Sequence, residues 1–127
     1  MNSMPNELKY AETHEWAALK ADDVVYVGIT DFAQSELGDI VFIGLPDVGR
    51  RVVAKEQLAV IESVKTASDL HAPVSGTIVA VNDAVRDALE NVNDDAFNAW
   101  LFAIKADDTT ELAQLMDADG YTRMIEA

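Results

Sequence analysis

Short runs of β-branched and apolar residues, cut at close intervals by turn formers, constrain this chain more than any other feature. Residues 24–30 (VVYVGIT) lie between Asp22-Asp23 and Asp31, and residues 39–45 (DIVFIGL) start after Gly38 and stop at Pro46. Residues 51–54, 58–64 and 77–81 are further runs, separated by Gly49, Lys55-Glu56 and Ser75-Gly76. Branched side chains pack well on a pleated surface, while Gly, Pro and Asp supply the backbone geometries that turns need. Many short strands at this spacing predict a mainly β fold, a sandwich or barrel-like core. A chain of 127 residues that is 50% hydrophobic suits one globular domain spanning 1–127.

Residues 31–37 (DFAQSEL) break the strand pattern and predict a helix. Asp31 is the expected N-cap, Phe32, Ala33 and Leu37 form an apolar side, and Gly38 ends it. From Asp107 onward the period lengthens. Leu112, Leu115 and Met116, then Tyr121, Met124 and Ile125, fall at helical spacing, which predicts two short helices broken near Gly120 and packed outside the sheet. The middle of the chain also echoes itself. A Gly turn launches a strand in Val48-Gly49-Arg50-Arg51-Val52-Val53 and again in Val74-Ser75-Gly76-Thr77-Ile78-Val79. This predicts two similar strand units related by a local two-fold, joined by a hairpin.

Composition excludes several function classes. With no cysteine, the chain has no disulfide, thiolate metal site or cysteine nucleophile, so redox sulfur chemistry must arrive on a cofactor. The formal net charge of −14 repels phosphate backbones and anionic membranes, making nucleic acid and lipid poor partners. Excess acid favours encounter with basic protein patches, or simply solubility; both readings stand. No apolar run is long enough to span a bilayer, and the first ten residues lack a secretory or transit pattern. The expected location is cytoplasmic, or the mitochondrial matrix if a transit peptide has been removed. His14 and His71, the only histidines, have no ligand-spaced partners, so no metal site is expected. Trp16 is expected to be structural and to share a face with His14. No Ser-His-Asp set, phosphate loop or dinucleotide fingerprint is present, and Asp94-Asp95 and Asp107-Asp108 read as caps and loop acids.

The informative passage is residues 61–70, IESVKTASDL. Apolar residues lead into Lys65, small and polar ones follow, and an apolar strand resumes near Leu70. A hairpin tip with its lysine in solvent has this pattern. An exposed lysine amine on a flexible stem accepts an acyl group as an amide, which removes its charge and lengthens the arm. Taken alone, most surface lysines are only solvated charges.

Further blocks give Lys65 a context. Leu8-Lys9-Tyr10 with Thr13-His14-Glu15-Trp16 is followed by Val27-Gly28-Ile29-Thr30-Asp31-Phe32-Ala33-Gln34 and Leu37-Gly38-Asp39-Ile40-Val41. Then come Leu45-Pro46-Asp47-Val48-Gly49, Glu62-Ser63-Val64-Lys65, Ser68-Asp69-Leu70 and Ala72-Pro73-Val74-Ser75-Gly76. In this order they resemble the H proteins of the glycine cleavage system along nearly the whole chain. The resemblance implies a barrel-sandwich hybrid, the fold of lipoyl and biotinyl carriers, with short peripheral helices. It implies a non-catalytic carrier with lipoate in amide linkage to Lys65 and Glu62, Ser63, Val64, Thr66 and Asp69 as recognition residues around it. It further implies a shuttle that takes an aminomethyl group from glycine decarboxylase (P protein) to the aminomethyltransferase (T protein). Electrons would pass to dihydrolipoamide dehydrogenase (L protein), and lipoate-attaching enzymes would be further partners. A cleft sheltering the loaded arm is expected near the hairpin, lined by Glu15, Ile29 or Asp69, where a carboxylate can pair with the cargo's protonated amine.

The chain departs from the family pattern in residues 88–100, where prolines and glycines give way to ALENVNDDAFNAW; Asn98 is expected to take positive φ in place of a glycine. Rival readings fit less well. A biotin carrier usually flanks its lysine with methionines, and a 2-oxoacid dehydrogenase lipoyl domain has Asp before and Ala after; here Val64 and Thr66 flank Lys65. A Schiff-base enzyme needs a desolvated lysine, which a hairpin tip does not supply. Within the family, a lipoate relay donating lipoyl groups to other enzymes remains open.

Overall fold

The computed structural model describes Pro5 and residues 7–126. The reading of the first ten residues as free of a leader therefore falls partly outside the described residues, as do both ends of the 1–127 domain. Among the described residues, nine strands form two antiparallel sheets. In chain order they are β1 (Lys9–Tyr10), β2 (Glu15–Leu19), β3 (Val24–Ile29), β4 (Ile40–Gly44), β5 (Arg51–Val52), β6 (Gln57–Ser63), β7 (Ala67–His71), β8 (Gly76–Val81) and β9 (Phe102–Ala106). One sheet has the order β1-β2-β3-β9-β8-β5, the other β4-β6-β7. The expected mainly β, barrel-sandwich fold is the one found. The apolar segment 101–104, not among the runs singled out from the sequence, supplies β9, the strand that joins β3 to β8.

Period-2 alternation builds the core. Val25, Val27 and Ile29 of β3 point inward at 0–1% exposure and meet Ile61, Leu70, Ile78 and Ile104, while Tyr26 points out. A second cluster lies on the outer face of the larger sheet, where Trp16 and Ala18 of β2 join Tyr10, Ala118 and Tyr121. Trp16 is structural, as expected: its indole N–H donates to the Ala96 carbonyl at 3.0 Å, and its ring lies over Gly28. A Cβ at Gly28 would sit 2.5 Å from the indole, so only glycine fits.

The helices are α1 (Asp31–Leu37), α2 (Ala84–Asp87), α3 (Glu90–Asp94) and α4 (Ala118–Glu126). For α1 the span was legible but the cap was not. Thr30, not Asp31, is the N-cap, its hydroxyl accepting from the Ala33 N–H at 3.1 Å. The C-terminal helices break earlier than expected. A 3-10 helix, Thr109–Gln114, ends before Met116, whose backbone pairs with Tyr10. Gly120 lies inside α4, its N–H held by the Asp117 carboxylate at 2.8 Å, so Asp117 is the break and the cap. The echoing segments supply the partners of an antiparallel pair, β5 with β8 (Arg51↔Thr77, Val52↔Gly76). β5 is shorter than its apolar run because Val53 to Glu56 turn, with Lys55 at φ 74°. Asn98 is not among the described residues with positive φ; its amide instead donates to the Asp95 carboxylate.

Candidate functional site

The site is the β6–β7 hairpin and the wall behind it. Ile61 of β6 pairs with Ser68 and Glu62 with Ala67, so the turn comprises Val64, Lys65 and Thr66. Ser63 locks it. Its backbone N–H donates to the Thr66 carbonyl at 2.7 Å, and its hydroxyl accepts from the N–H groups of Lys65 (3.2 Å) and Thr66 (3.1 Å). The Val64 N–H donates to the Asp39 carbonyl, tying the tip to the strand beside it. With the N–H groups of Val64, Lys65 and Thr66 all paired, the Lys65 side chain carries no hydrogen bond among the described residues and is exposed.

Lys65 lies over Gly38, the C-cap of α1 at φ 80°; a Cβ there would come 3.2 Å from Lys65 Cε. Gly38 is held from below by Asn93 of α3. The Asn93 amide donates to the Gly38 carbonyl (2.8 Å) and to Gln34 Oε1 (3.0 Å), and its oxygen accepts from the Ile40 N–H (3.1 Å). Asn93 belongs to the divergent segment and was not singled out from the sequence. The bond to Gly38 spans 55 residues, so no local pattern signals it.

A cleft of about 330 Å³ opens beside the tip between the hairpin residues Thr66, Ala67 and Ser68 and the helix residues Phe32, Ala33 and Glu36. Ile29 and Leu70 form its floor, and Thr13 and His14 close one end. His14 precedes β2 at φ 76°, so strand alternation does not govern it; its ring packs against Phe32 of α1 and against Tyr121, a member of the outer cluster that also holds Trp16.

The expected cleft residues separate. Ile29 lines this cleft. Glu15 is 1% exposed and lines an adjoining hollow of about 430 Å³, which meets the cleft at Thr13. Its carboxylate accepts from the Thr13 hydroxyl, from the His71 N–H at 2.9 Å and faces His71 Nδ1 at 3.3 Å. Burial pushes the Glu15 carboxyl above the usual range, against those bonds, which stabilise the anion. Asp69, on β7 opposite Val60, is exposed and lines neither space. Glu62, Val64 and Thr66 are exposed around Lys65, while Ser63 is half-buried beneath it.

Fold and hairpin together define a barrel-sandwich domain that presents one lysine at a strand turn beside a cleft. The comparisons identify which such domain it is. The family model described as Glycine cleavage H-protein matches residues 8–127, and the chain belongs to that family. A glycine cleavage system H protein of Methylococcus capsulatus is 56% identical over 126 residues, covering 99% of each chain. One from Cronobacter sakazakii is 54% identical over 127 residues, covering 99% of this chain and 98% of its own. The crystal structure of an H protein from Mycobacterium marinum superposes with a TM-score of 0.88 at 38% identity, covering 98% of this chain and 100% of the other. Among the described residues no helix is long and apolar enough to cross a membrane.

Proposed function

We propose that this chain is the lipoyl-carrying shuttle of glycine cleavage, acylated by lipoate on Lys65. In this reading it moves an aminomethyl group from glycine decarboxylase to the aminomethyltransferase and electrons to dihydrolipoamide dehydrogenase, in the cytoplasm. The attached dithiolane supplies the sulfur that takes up and releases cargo and electrons, while the reactions belong to the partners' active sites. One observation carries the reading: an exposed amine on a turn whose own backbone bonds hold it rigid, next to a cleft.

The residues fit that group. Ser63 fixes the turn, so the flexible length begins at the Lys65 side chain, and a tether raises the arm's concentration at each docked partner without a new binding event. Gly38 leaves the stem room to lie back. Ile29, Phe32, Ala33, Leu37 and Leu70 offer an apolar trough to an acyl chain, with Thr13, Ser68 and Glu36 as polar edges. Glu62, Val64, Thr66 and Asp69 surround the amine in solvent, where an attaching enzyme can read them.

The test is intact mass of protein from its native host. A lipoyl-sized increment that disappears in Lys65→Arg supports the reading; native material that is unacylated yet fully competent would end it. Activity with glycine decarboxylase then separates glycine cleavage from relay of lipoate to other enzymes.

A further inference from the structure

The end of the cleft is built by a chain of hydrogen bonds that crosses the molecule. His14 Nδ1 lies 2.7 Å from the Tyr121 hydroxyl, which lies 2.7 Å from the Thr30 hydroxyl, which accepts from the Ala33 N–H at 3.1 Å. Thr30 and Tyr121 are both 0% exposed. Protons can be arranged along this chain in two ways.

If Thr30 donates to Tyr121 and Tyr121 donates to His14, every hydroxyl proton has an acceptor. Nδ1 is then unprotonated, and the ring is neutral with its proton on Nε2. If instead Nδ1–H donates to Tyr121, the phenol must donate to Thr30. The Thr30 hydroxyl proton is then buried with no other acceptor among the described residues, an arrangement proteins avoid. That second pattern includes the charged imidazolium, so the network resists charging His14.

Charge on the cleft follows from this. Glu36 and His14 are the only residues with titratable acidic or basic side chains among its described lining. A cationic His14 would neutralise Glu36 from across the pocket; a neutral one leaves that carboxylate free to meet a cation. The groups facing His14 are Glu36 and Phe32 of α1, Tyr121 of α4 and, next in the chain, Glu15. We propose that Tyr121 and Thr30 hold His14 as a neutral imidazole protonated on Nε2, which makes the cleft beside Lys65 a cation-selective pocket with Glu36 as the one charged side chain of its described lining. Burial also holds His14 below the usual imidazole range, overriding the opposite pull of Glu36. Tyr121 acts here as a positioning residue, acting on the pocket through His14.

The inference rests on the carrier reading only for its cargo, a group ending in a protonated amine, and the test separates the two. Nitrogen-15 NMR of the full, unmodified chain at neutral pH reads the tautomer directly. An unprotonated Nδ1 with Nε2–H is expected; Nδ1–H, or both nitrogens protonated, overturns the proposal. In Tyr121→Phe the ring should become a tautomer mixture, and a folded variant with the tautomer unchanged also overturns it. Glu36→Gln, at an exposed position, covers the case in which Tyr121→Phe does not fold. With lipoyl-Lys65 protein loaded with aminomethyl by glycine decarboxylase, cargo loss is followed as formaldehyde: water adds at the methylene carbon, the C–S bond breaks, and thiol, formaldehyde and ammonium leave. Glu36→Gln should shed cargo several-fold faster than the unmutated chain; equal rates overturn the selectivity. A chain that takes no lipoate or cargo overturns the carrier reading and the cation pocket with it, and the tautomer spectrum is unaffected by that outcome.

Discussion

At the scale of single residues, Lys65 is separable from the fold and Gly38 is not. The Lys65 amine makes no hydrogen bond among the described residues, so Lys65→Arg should abolish acylation, seen by mass, while stability moves by less than about 0.5 kcal/mol in thermal unfolding. A large drop in melting temperature would show the lysine to be structural. Gly38 sits at φ 80°, where any Cβ is strained, and under the Lys65 stem, whose Cε a Cβ would approach to 3.2 Å and push aside. Gly38→Ala should cost ~1–2 kcal/mol and slow acylation of Lys65 by a lipoate ligase. Lys65 was legible because a hairpin tip is a local object. Composition around it, apolar before and polar after, reports the turn without help from distant residues. Glu15 shows the opposite case. Its type and motif were visible, but its aim toward His71 is set by a partner 56 residues away.

At the scale of elements, the small helices hold the hairpin's foundation. α3 is tied to α1 and β4 through Asn93, whose amide satisfies Gly38, Gln34 and the Ile40 N–H together. Asn93→Ala leaves these groups short of three bonds and should cost about 2–3 kcal/mol, measured by denaturant unfolding. Hydrogen exchange should rise first at Ile40 and Val64, whose amides depend on this corner. An unchanged exchange pattern would show that α3 merely rests on the sheet. α1 was readable as a helix because its amphipathic stripe and terminal glycine are consecutive. Its true cap was missed because Asp31 and Thr30 are both good caps, and tertiary contact with Tyr121 selects the threonine.

At the scale of the whole molecule, buried ionisable groups tie stability to pH. The Glu15 carboxyl is raised above its ordinary value of 4.5, chiefly by burial. The folded state therefore binds this proton more tightly than the unfolded chain, and the contribution is fully present below pH 4.5. It is lost as pH rises through the folded value. His14 has the reverse sign. Its folded value lies below 6.5, so its contribution is present above pH 6.5 and declines as pH falls through that point toward the folded value. Glu15→Gln should flatten the fall in stability that accompanies rising pH above 4.5, as read by melting temperature across a pH series. If the slope is unchanged, Glu15 is not the group responsible.

What the sequence determined by itself is whatever repeats over a few residues: β strands from branched runs, turns from Gly, Pro and Asp, a hairpin lysine, and the ordered blocks that mark the family. Tertiary structure alone decided which side chains share a space. The His14–Tyr121–Thr30 chain joins residues up to 107 apart, and Asn93 reaches 55 residues back to Gly38. Periodicity records which face of an element is apolar, because burial recurs with the backbone's own period. It carries no information on which distant hydroxyl or carboxylate completes a buried polar group, because that is settled only when the sheets close on each other.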